Sequence, residues 1–299
     1  MAKKKRWGKK WKDNRDWKAY NEELVKRGEF YINPRFLETW LEEVEDMNQG
    51  KVGQPYTYPE SLIEFLGVLK AKGFSLRDLQ GVVQALSKRF NNFPVICFSQ
   101  VRRRILKLPL AFNAKGSNLV VGVDGSGMKV SNRGEWIRQK WAVRRGWIKV
   151  VILGDVDGNI VDIRVGNEDV DERAAGRGMI RDNNGVIDKV LADGLHDCGA
   201  TFDLCEEFGL ETGVKIRENA DESGLGRRPD EVRLYKNMGY KGWAKVKAYG
   251  KRWLATEGIF SASKRIMGEC VNAHKKRNMY REARLKFWAY QQVKDAGAG

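Results

Sequence analysis

Two short apolar runs in this chain each end in an aspartate that is followed by a glycine. In "VVGVDG" Val120–Val123 precede Asp124, and in "KVLADG" the run ends at Asp193. Runs of this length and composition predict strands that are buried on both faces. Ligands of α/β sheets bind at strand ends, and two carboxylates held side by side repel each other unless a cation lies between them. If the two strands are neighbours in the sheet, we therefore expect a cation site between Asp124 and Asp193.

Each aspartate also has a simpler interpretation as a turn residue. Asp-Gly is a common turn dipeptide, and for Asp124 or Asp193 taken alone the turn is the stronger interpretation. The occurrence of two such strand ends in one chain favours the paired site. Asp197, four residues after Asp193, is either a rival second ligand or a residue at a helix start. Asp171 has no spacing that ties it to the site, and His196 is interpreted as a turn or packing residue.

The elements around these runs set the fold class. Two β-branched runs joined around Asp157-Gly158 predict a hairpin over residues 147–167, because Asp-Gly is a strong hairpin signal. Strands then alternate with helices, and this order predicts an α/β fold with a mixed sheet whose first three strands are antiparallel. The ribonuclease H-like fold has this order, and we assign it to residues 116–299. The later segments are predicted as helices over 171–190 and 201–209, a strand over 213–219, a basic loop region over 220–247, and helix from residue 253 onward.

Residues 33–115 predict a separate helical domain. Ser75, with Asp78 three residues later, has the pattern of a helix N-terminus. Three consecutive helices, of which the last is short and basic, fit a helix-turn-helix module that binds DNA. An ordinary helical bundle with a solvated basic face is the alternative. The basic residues of the last helix are Arg102, Arg103, Arg104 and Lys107.

The charge of the chain points to a polyanionic partner. Its 299 residues include 55 Lys and Arg against 39 Asp and Glu, which gives a formal net charge of +16. Such an excess indicates nucleic acid or, less readily, an acidic membrane surface. In residues 1–32 basic side chains are interleaved with Trp7, Trp11 and Trp17, so this segment is either a solvated tail or an arm that binds DNA. A second stretch rich in Trp and Arg, residues 133–147, is either a core edge or a surface that faces DNA.

Several classes of protein are disfavoured by the composition. No stretch approaches the about 20 apolar residues that span a bilayer, and no apolar segment of a secretory signal follows the charged N-terminus. The four cysteines have no Cys-x-x-Cys spacing, which favours reduced thiols over a zinc site. We therefore expect a cytoplasmic protein without a membrane partner.

A late helical segment supplies a third carboxylate. In "WLATEGIFSASKR" Glu257 and Lys264 are seven residues apart, so both project from one side of a helix, with Phe260 between them as a packing residue. Glu257 is then placed to reach a metal ion while Lys264 reaches a phosphate. Taken alone the pair means little, because many solvated helices carry Glu and Lys.

Three segments together resemble the sequence blocks of DDE transposases from bacterial and archaeal insertion sequences. The resemblance covers roughly residues 60–293 and is strongest to insertion-sequence families four and five, family five above all. In the third block, Tyr249 and Arg252 match the first half of the pattern Tyr-x2-Arg-x3-Glu-x6-Lys, and Glu257 and Lys264 match the second half. The segments are "VDGSGMKVSNRGEW", "VLADGLHDCGATFDLCEEFGLETGVKIREN" and "YGKRWLATEGIFSASKRIMGE".

The third block departs from the family pattern at one point. Four residues separate Arg252 from Glu257, where the pattern has three. At the family's spacing the residue is Thr256, which cannot ligate a metal as a carboxylate does. Glu257 is retained as the expected ligand because its spacing to Lys264 is intact.

The resemblance implies a metal-dependent phosphoryl transfer. Asp124, Asp193 and Glu257 would hold two Mg²⁺ ions, with Mn²⁺ as a substitute, which activate water or a 3′-hydroxyl and stabilise the leaving oxygen. Lys264 and Arg252 would bind backbone phosphates. In addition, Tyr249 would support the DNA strand near the cut, and the glycines at 125 and 127 would leave room for the approaching phosphate.

The resemblance also implies partners and a setting. The substrate would be double-stranded DNA, namely the terminal inverted repeats of the element and a target site, joined by cut-and-paste transfer without a covalent protein–DNA intermediate. Holding two ends implies a homodimer in the synaptic complex, in a nucleoid-associated prokaryotic protein.

Two other functions stay open. A domesticated relative would bind repeats without cleaving them, and a ribonuclease H-like nuclease would cut RNA hybrids. The presence of Asp124, Asp193 and Glu257 favours cleavage over binding alone. The basic helical N-terminal domain favours a DNA site over a hybrid.

Overall fold

The computed structural model describes four stretches of the chain, residues 16–31, 34–90, 92–131 and 147–298. Trp7, Trp11 and residues 133–146 lie outside them, so the expectations for those residues stay predictions. No helix within the described stretches is both long and apolar enough to cross a membrane.

The N-terminal part of the chain is helical, as predicted. The expected start of its fourth helix is confirmed, because the Asp78 N–H donates to the Ser75 hydroxyl at 3.1 Å while the Ser75 N–H donates to the Asp78 carboxylate at 2.8 Å. The helices are α1 (Trp17–Phe30), α2 (Trp40–Asn48), α3 (Glu60–Ala71), α4 (Leu76–Arg89) and α5 (Phe98–Ile105), with a 3₁₀ turn at Arg35–Leu37.

The described part of the predicted arm is a packed helix rather than a tail. Asp16 caps α1 by accepting the Lys18 and Ala19 N–H groups at 2.9 and 3.1 Å. The helix lies against the C-terminal helix, where the Arg27 side chain covers Gly297 so closely that a Cβ there would lie 2.7 Å from Arg27 Cγ. This packing joins residues 17–30 to the C-terminal helix.

The centre of the molecule is a six-stranded mixed sheet in the order β3-β2-β1-β4-β5, with β6 paired to β1. Strands β1, β2 and β3 are antiparallel neighbours, while β4 runs parallel to β1 and β5 runs parallel to β4. The predicted mixed α/β sheet with three antiparallel first strands is therefore confirmed. The strands are β1 (Leu119–Val130), β2 (Trp147–Asp155), β3 (Ile160–Asn167), β4 (Ile187–Ala192), β5 (Glu211–Val214) and β6 (Cys270–Val271).

Helices cover both faces of this sheet. Because side chains alternate along a strand, Val151 and Leu153 of β2 join one core while Val150 and Ile152 join the other. The core that contains Val150 and Ile152 is the larger one, and it includes residues from both sides of the predicted domain boundary at residue 116. That boundary stays a prediction. The remaining helices are α6 (Glu172–Asp182), α7 (Gly199–Glu207), α8 (Arg227–Val246), α9 (Ile259–Met267) and α10 (Lys276–Ala298).

The prediction of a basic loop over residues 220–247 is wrong, because α8 occupies most of it. Two apolar side chains fix this helix to the protein, since Val232 and Trp243 are both fully buried. Gly239, with a φ of 63°, breaks the helical geometry and kinks α8. The many Lys, Arg and Gly residues of this segment suggested a loop, and its two buried apolar residues are too far apart in sequence to indicate a helix.

The expectation that the first strand ends at Asp124 is also wrong. β1 continues to Val130, and its pairing with β2 runs on through Gly125↔Val151 and Gly127↔Lys149. Asp124 is thus an interior strand residue and not a turn residue. The second expectation holds, because β4 ends at Ala192 and Asp193 follows it directly.

Candidate active site

The candidate site lies where one edge of β1 has no strand partner. On this side β4 ends opposite Val123, and β6 begins opposite Lys129. No described strand pairs with residues 124–128 along this edge. Asp193 follows the last paired residue of β4, so its backbone comes next to that of Asp124, and neighbouring strands are about 4.8 Å apart.

A pair of facing glycines lets the segment before α9 lie directly on the sheet. Gly122 of β1 and Gly154 of β2 are register partners. A Cβ at Gly154 would lie 2.2 Å from the Ala255 carbonyl oxygen and 2.4 Å from Ile259 Cδ1, and a Cβ at Gly122 would lie 2.8 Å from Ala255 Cβ. No other residue fits there, so the two glycines set the height of this segment above the sheet.

A π-helical turn over Leu254–Gly258 accounts for the extra residue in the third block. A π turn bonds residue i to residue i+5, one more than an α turn. Arg252 and Glu257, five positions apart, therefore come to the same side, with Arg252 Nη2 donating to Glu257 Oε1 at 2.5 Å. Thr256, at the family's spacing, is fully buried, and its hydroxyl lies 2.7 Å from Glu257 Oε2.

Arg252 also reaches the first carboxylate. Its Nη1 lies 3.4 Å from Asp124 Oδ2, and Asp124 Oδ1 accepts the Gly125 N–H at 2.9 Å. Burial raises the pKa of Asp124 to about 6; the Gly125 N–H and Arg252 oppose this rise, and the nearby carboxylates of Glu172 and Glu257 add to it. The first and third predicted carboxylates thus converge on one guanidinium.

Lys264 lies at the unpartnered edge of β1. Its Nζ donates to Ser126 Oγ at 2.7 Å and to the Gly127 carbonyl oxygen at 2.9 Å. Burial lowers the pKa of Lys264. This ammonium therefore lies two to three residues along β1 from Asp124, and both of these acceptors are neutral.

Tyr249 lies beneath Arg252 and is only 9% exposed. Its ring contacts Trp243 at a centroid distance of 5.2 Å, and the Arg252 guanidinium lies 5.6 Å from its ring centroid. Burial raises the pKa of Tyr249, with Arg252 opposing and Asp193 adding to the rise. In this structure Tyr249 supports Arg252 from below.

The rival ligand Asp197 has other partners. Its side chain is fully buried, where it pairs with Arg228 at 2.7 Å and accepts the Arg217 N–H at 3.0 Å. Asp171 caps α6 by accepting the Arg173 N–H at 2.9 Å. Both aspartates thus have structural roles, and His196, at 1% exposure, is a packing residue as interpreted.

Glu172 is a nearby acid that the sequence did not indicate. It forms an ion pair with Lys149 at 3.1 Å and packs over Gly125, where a Cβ would lie 2.2 Å from its Oε2. A Cβ at Gly127 would likewise lie 2.9 Å from the Trp147 ring. The space over these glycines is therefore filled by protein, which corrects the expectation that it is kept free for a phosphate.

The basic residues of α5, together with Lys107 just after it, divide into two groups. Arg102, Arg103 and Lys107 are exposed. Arg104 instead pairs with Glu60 at 2.9 Å. Its guanidinium also lies 5.0 Å from the Tyr56 ring centroid.

Carboxylate oxygens are the ligands that Mg²⁺ prefers, and two of the candidate side chains already converge on a single cation, Arg252. The donor chemistry therefore fits a divalent metal. The described stretches contain no group of three or more His, Cys, Asp or Glu side chains that is already arranged to hold a metal ion.

Comparison with known families identifies the class of the protein. A transposase DDE domain family matches residues 115–291, and a second transposase DDE domain family matches residues 25–133. Because the first match covers more than half of the 299 residues, the chain belongs to the DDE transposase family. No curated protein matches the chain.

The solved structures that align with the chain are only weakly similar to it. The Drosophila P element transposase strand transfer complex aligns at 10% identity and a TM-score of 0.32, over 62% of this chain and 48% of that one, so the chain spans about half of its length. The Mos1 mariner paired end complex with Mn aligns at 11% identity and a TM-score of 0.22, over 93% of this chain and 96% of that one. The simian T-cell lymphotropic virus intasome, in complex with PP2A regulatory subunit B56 gamma, aligns at 10% identity and a TM-score of 0.25, over 69% of this chain and 72% of that one.

Proposed function

We propose that this protein is a cut-and-paste transposase of a prokaryotic insertion sequence, most similar to family five. It binds the terminal inverted repeats, cleaves them with Mg²⁺ and joins the freed 3′-hydroxyls to target DNA. The positions of three acidic residues support this function. Asp124 and Asp193 directly follow Val123 and Ala192, the last residues that pair between β1 and β4, and Glu257 shares Arg252 with Asp124.

The sheet and the helices that precede it support the proposed domains. The strand order and directions support a ribonuclease H-like catalytic domain. The short basic helix α5, packed against α4, supports a helix-turn-helix function for the preceding helices. We further propose a homodimer in the synaptic complex and a location at the nucleoid, because two DNA ends are processed together.

Asp124, Asp193 and Glu257 would hold the metal ions. When bound, these ions activate the attacking oxygen and stabilise the leaving oxygen. Asp124 is held for this role by the Gly125 N–H, and Glu257 is held by the Thr256 hydroxyl. Lys264 would exchange its two neutral acceptors for a phosphate oxygen, because the opposite charges of the ammonium and the phosphate attract each other.

The experiment that tests the proposed function uses the DNA that flanks the gene. The purified protein is incubated with duplexes that carry those flanks or shuffled versions of them, with Mg²⁺, Mn²⁺ or EDTA. We expect metal-dependent cuts at the repeat ends of the native flanks only. Binding without cleavage would instead establish the repeat-binding function, and cleavage restricted to RNA–DNA hybrids would establish the nuclease.

Lys264→Ala is expected to lower the rate of end cleavage by about 10- to 100-fold, because a phosphate contact beside the reacting group is lost. Cleavage rates are measured at saturating DNA. Lys129→Ala is the matched control, since Lys129 lies on β1, the strand that Lys264 contacts, but pairs with Glu269 on the surface at 2.5 Å. Equal rates for Lys264→Ala and wild type would remove Lys264 from the proposed site.

Arg103→Ala is expected to weaken DNA binding and to reduce the slope of log affinity against log salt by about 1, as for the loss of one phosphate contact. Arg104→Ala should chiefly lower the free energy of unfolding, because Arg104 is tied to Glu60. Binding isotherms at several salt concentrations and urea denaturation separate the two effects. An unchanged salt slope in Arg103→Ala would argue against DNA contact by α5.

A further inference from the structure

The Arg252 guanidinium holds two of the candidate metal ligands together. Its two terminal nitrogens lie 3.4 Å from Asp124 Oδ2 and 2.5 Å from Glu257 Oε1. Its side chain is only 16% exposed. One positive charge thus lies between two carboxylates from distant parts of the chain, in the place where a shared cation is expected.

Several contacts hold the guanidinium in this position. The Tyr249 ring lies beneath it at 5.6 Å, and Nη1 lies 3.5 Å from the Thr256 hydroxyl. The π turn aligns its backbone with that of Glu257. Arg252 is therefore bound as an internal ligand of the carboxylates, and not as a solvated surface side chain.

We propose that Arg252 is a placeholder cation that holds Asp124 and Glu257 together before metal binds and leaves them when a divalent ion takes its place. The inference rests on the proposed function. A metal ion needs the same carboxylate oxygens that Arg252 now occupies, and a dication and a guanidinium repel each other at contact distance. Arg252 and the metal therefore compete.

The released guanidinium has an acceptor available in the substrate. Arg252 lies at Asp124 and Lys264 lies at Ser126 and Gly127, so the two cations flank the unpartnered edge of β1. A phosphate that lies along this edge can accept from both of them. DNA binding then draws Arg252 away from the carboxylates and raises their affinity for metal, and by linkage metal raises the affinity for DNA by the same factor.

The test is the affinity of the protein for Mn²⁺, measured by electron paramagnetic resonance of free Mn²⁺ with and without a random-sequence duplex. The Mn²⁺ bound by the duplex alone is subtracted. We expect Arg252→Ala to bind Mn²⁺ about tenfold more tightly than wild type without DNA. The duplex should raise the affinity of wild type but not that of Arg252→Ala. Arg265→Ala, an exposed arginine of α9, should match wild type.

A second variant and a second readout cover the case in which Arg252→Ala folds poorly. Arg252→Lys keeps one charge without the two-pronged geometry, and it should bind Mn²⁺ with intermediate affinity. In thermal unfolding, Mn²⁺ should raise the Tm of both Arg252 variants by more than it raises the Tm of wild type.

Two results would overturn the proposal in different ways. Equal or weaker Mn²⁺ binding by both Arg252 variants, in a wild type that binds Mn²⁺ and cleaves DNA, would make Arg252 a fixed structural partner and leave the proposed function intact. A wild type that binds no Mn²⁺, with or without DNA, would remove the proposed function and the placeholder together.

Discussion

Asp124→Asn is expected to abolish DNA cleavage, with a loss of more than about 10³-fold, because a proposed metal ligand is replaced by a neutral amide. Loss of a residue that only hydrogen-bonds to a metal ligand already lowers metal affinity or activity by about 10- to 100-fold. DNA binding should be nearly unchanged, since the exposed arginines of α5 are distant in sequence and are not altered. Single-turnover cleavage and a binding isotherm measure the two quantities. A variant that cleaves at the wild-type rate would exclude Asp124 as a ligand.

The same substitution should stabilise the metal-free protein at neutral pH. The pKa of Asp124 is raised to about 6 in the folded state from 3.8, so the folded protein holds this proton more tightly than the unfolded chain does. Its contribution to stability therefore falls as the pH rises from about 4 to about 6, by at most about 1.4 kcal/mol for each tenfold difference in proton affinity between the two states. Asp124→Asn lacks this loss, so its free energy of unfolding should exceed that of wild type at pH 8 and approach it near pH 4.

Gly154→Ala is expected to lower the free energy of unfolding by about 3 kcal/mol, because the new methyl group would lie on a backbone atom that cannot move aside. The Ala255 carbonyl oxygen and Ile259 Cδ1 would be 2.2 and 2.4 Å from it. The segment that carries Glu257 must rise from the sheet, and displacement of a reacting group by about 1 Å lowers catalysis by about 100-fold. Urea denaturation and end cleavage measure the two effects.

A matched control separates this effect from a general effect of glycine replacement. Gly178 lies in α6 with no heavy atom within 4 Å of an added Cβ. Gly178→Ala should therefore stabilise the protein by about 0.5–1 kcal/mol and leave cleavage unchanged. If Gly154→Ala behaved like Gly178→Ala, the close approach of this segment to the sheet would not position Glu257.

The strand pattern predicted the sheet well because its signals are local. The hairpin over residues 147–167 and the buried run that ends before Asp193 depend on turn residues and β-branched runs alone. The end of β1 was missed, since Gly125, Ser126 and Gly127 have low strand propensity. They stay in the strand because β2 pairs with them, a long-range contact that no short window contains.

The candidate site was predicted only in part, and for related reasons. Spacing to Lys264 indicated Glu257 as a ligand, and the structure shows that Glu257 shares Arg252 with Asp124. The π turn that brings Arg252 and Glu257 together leaves no clear mark in the sequence. Glu172 was missed because its position depends on how α6 crosses β1. The paired glycines Gly122 and Gly154 lie 32 positions apart in sequence, and only the register of β1 and β2 shows that they face each other.

A shared metal site requires Asp124, Asp193 and Glu257 to lie around the same bound ions. Fe²⁺ bound in place of Mg²⁺, with ascorbate and peroxide, produces hydroxyl radicals that cut the polypeptide backbone close to the metal. We predict cuts in three segments only, around residues 122–126, 192–195 and 254–258, all suppressed by excess Mg²⁺ and absent in Asp124→Asn. Cuts confined to one segment, or cuts elsewhere that persist in Asp124→Asn, would contradict a shared site.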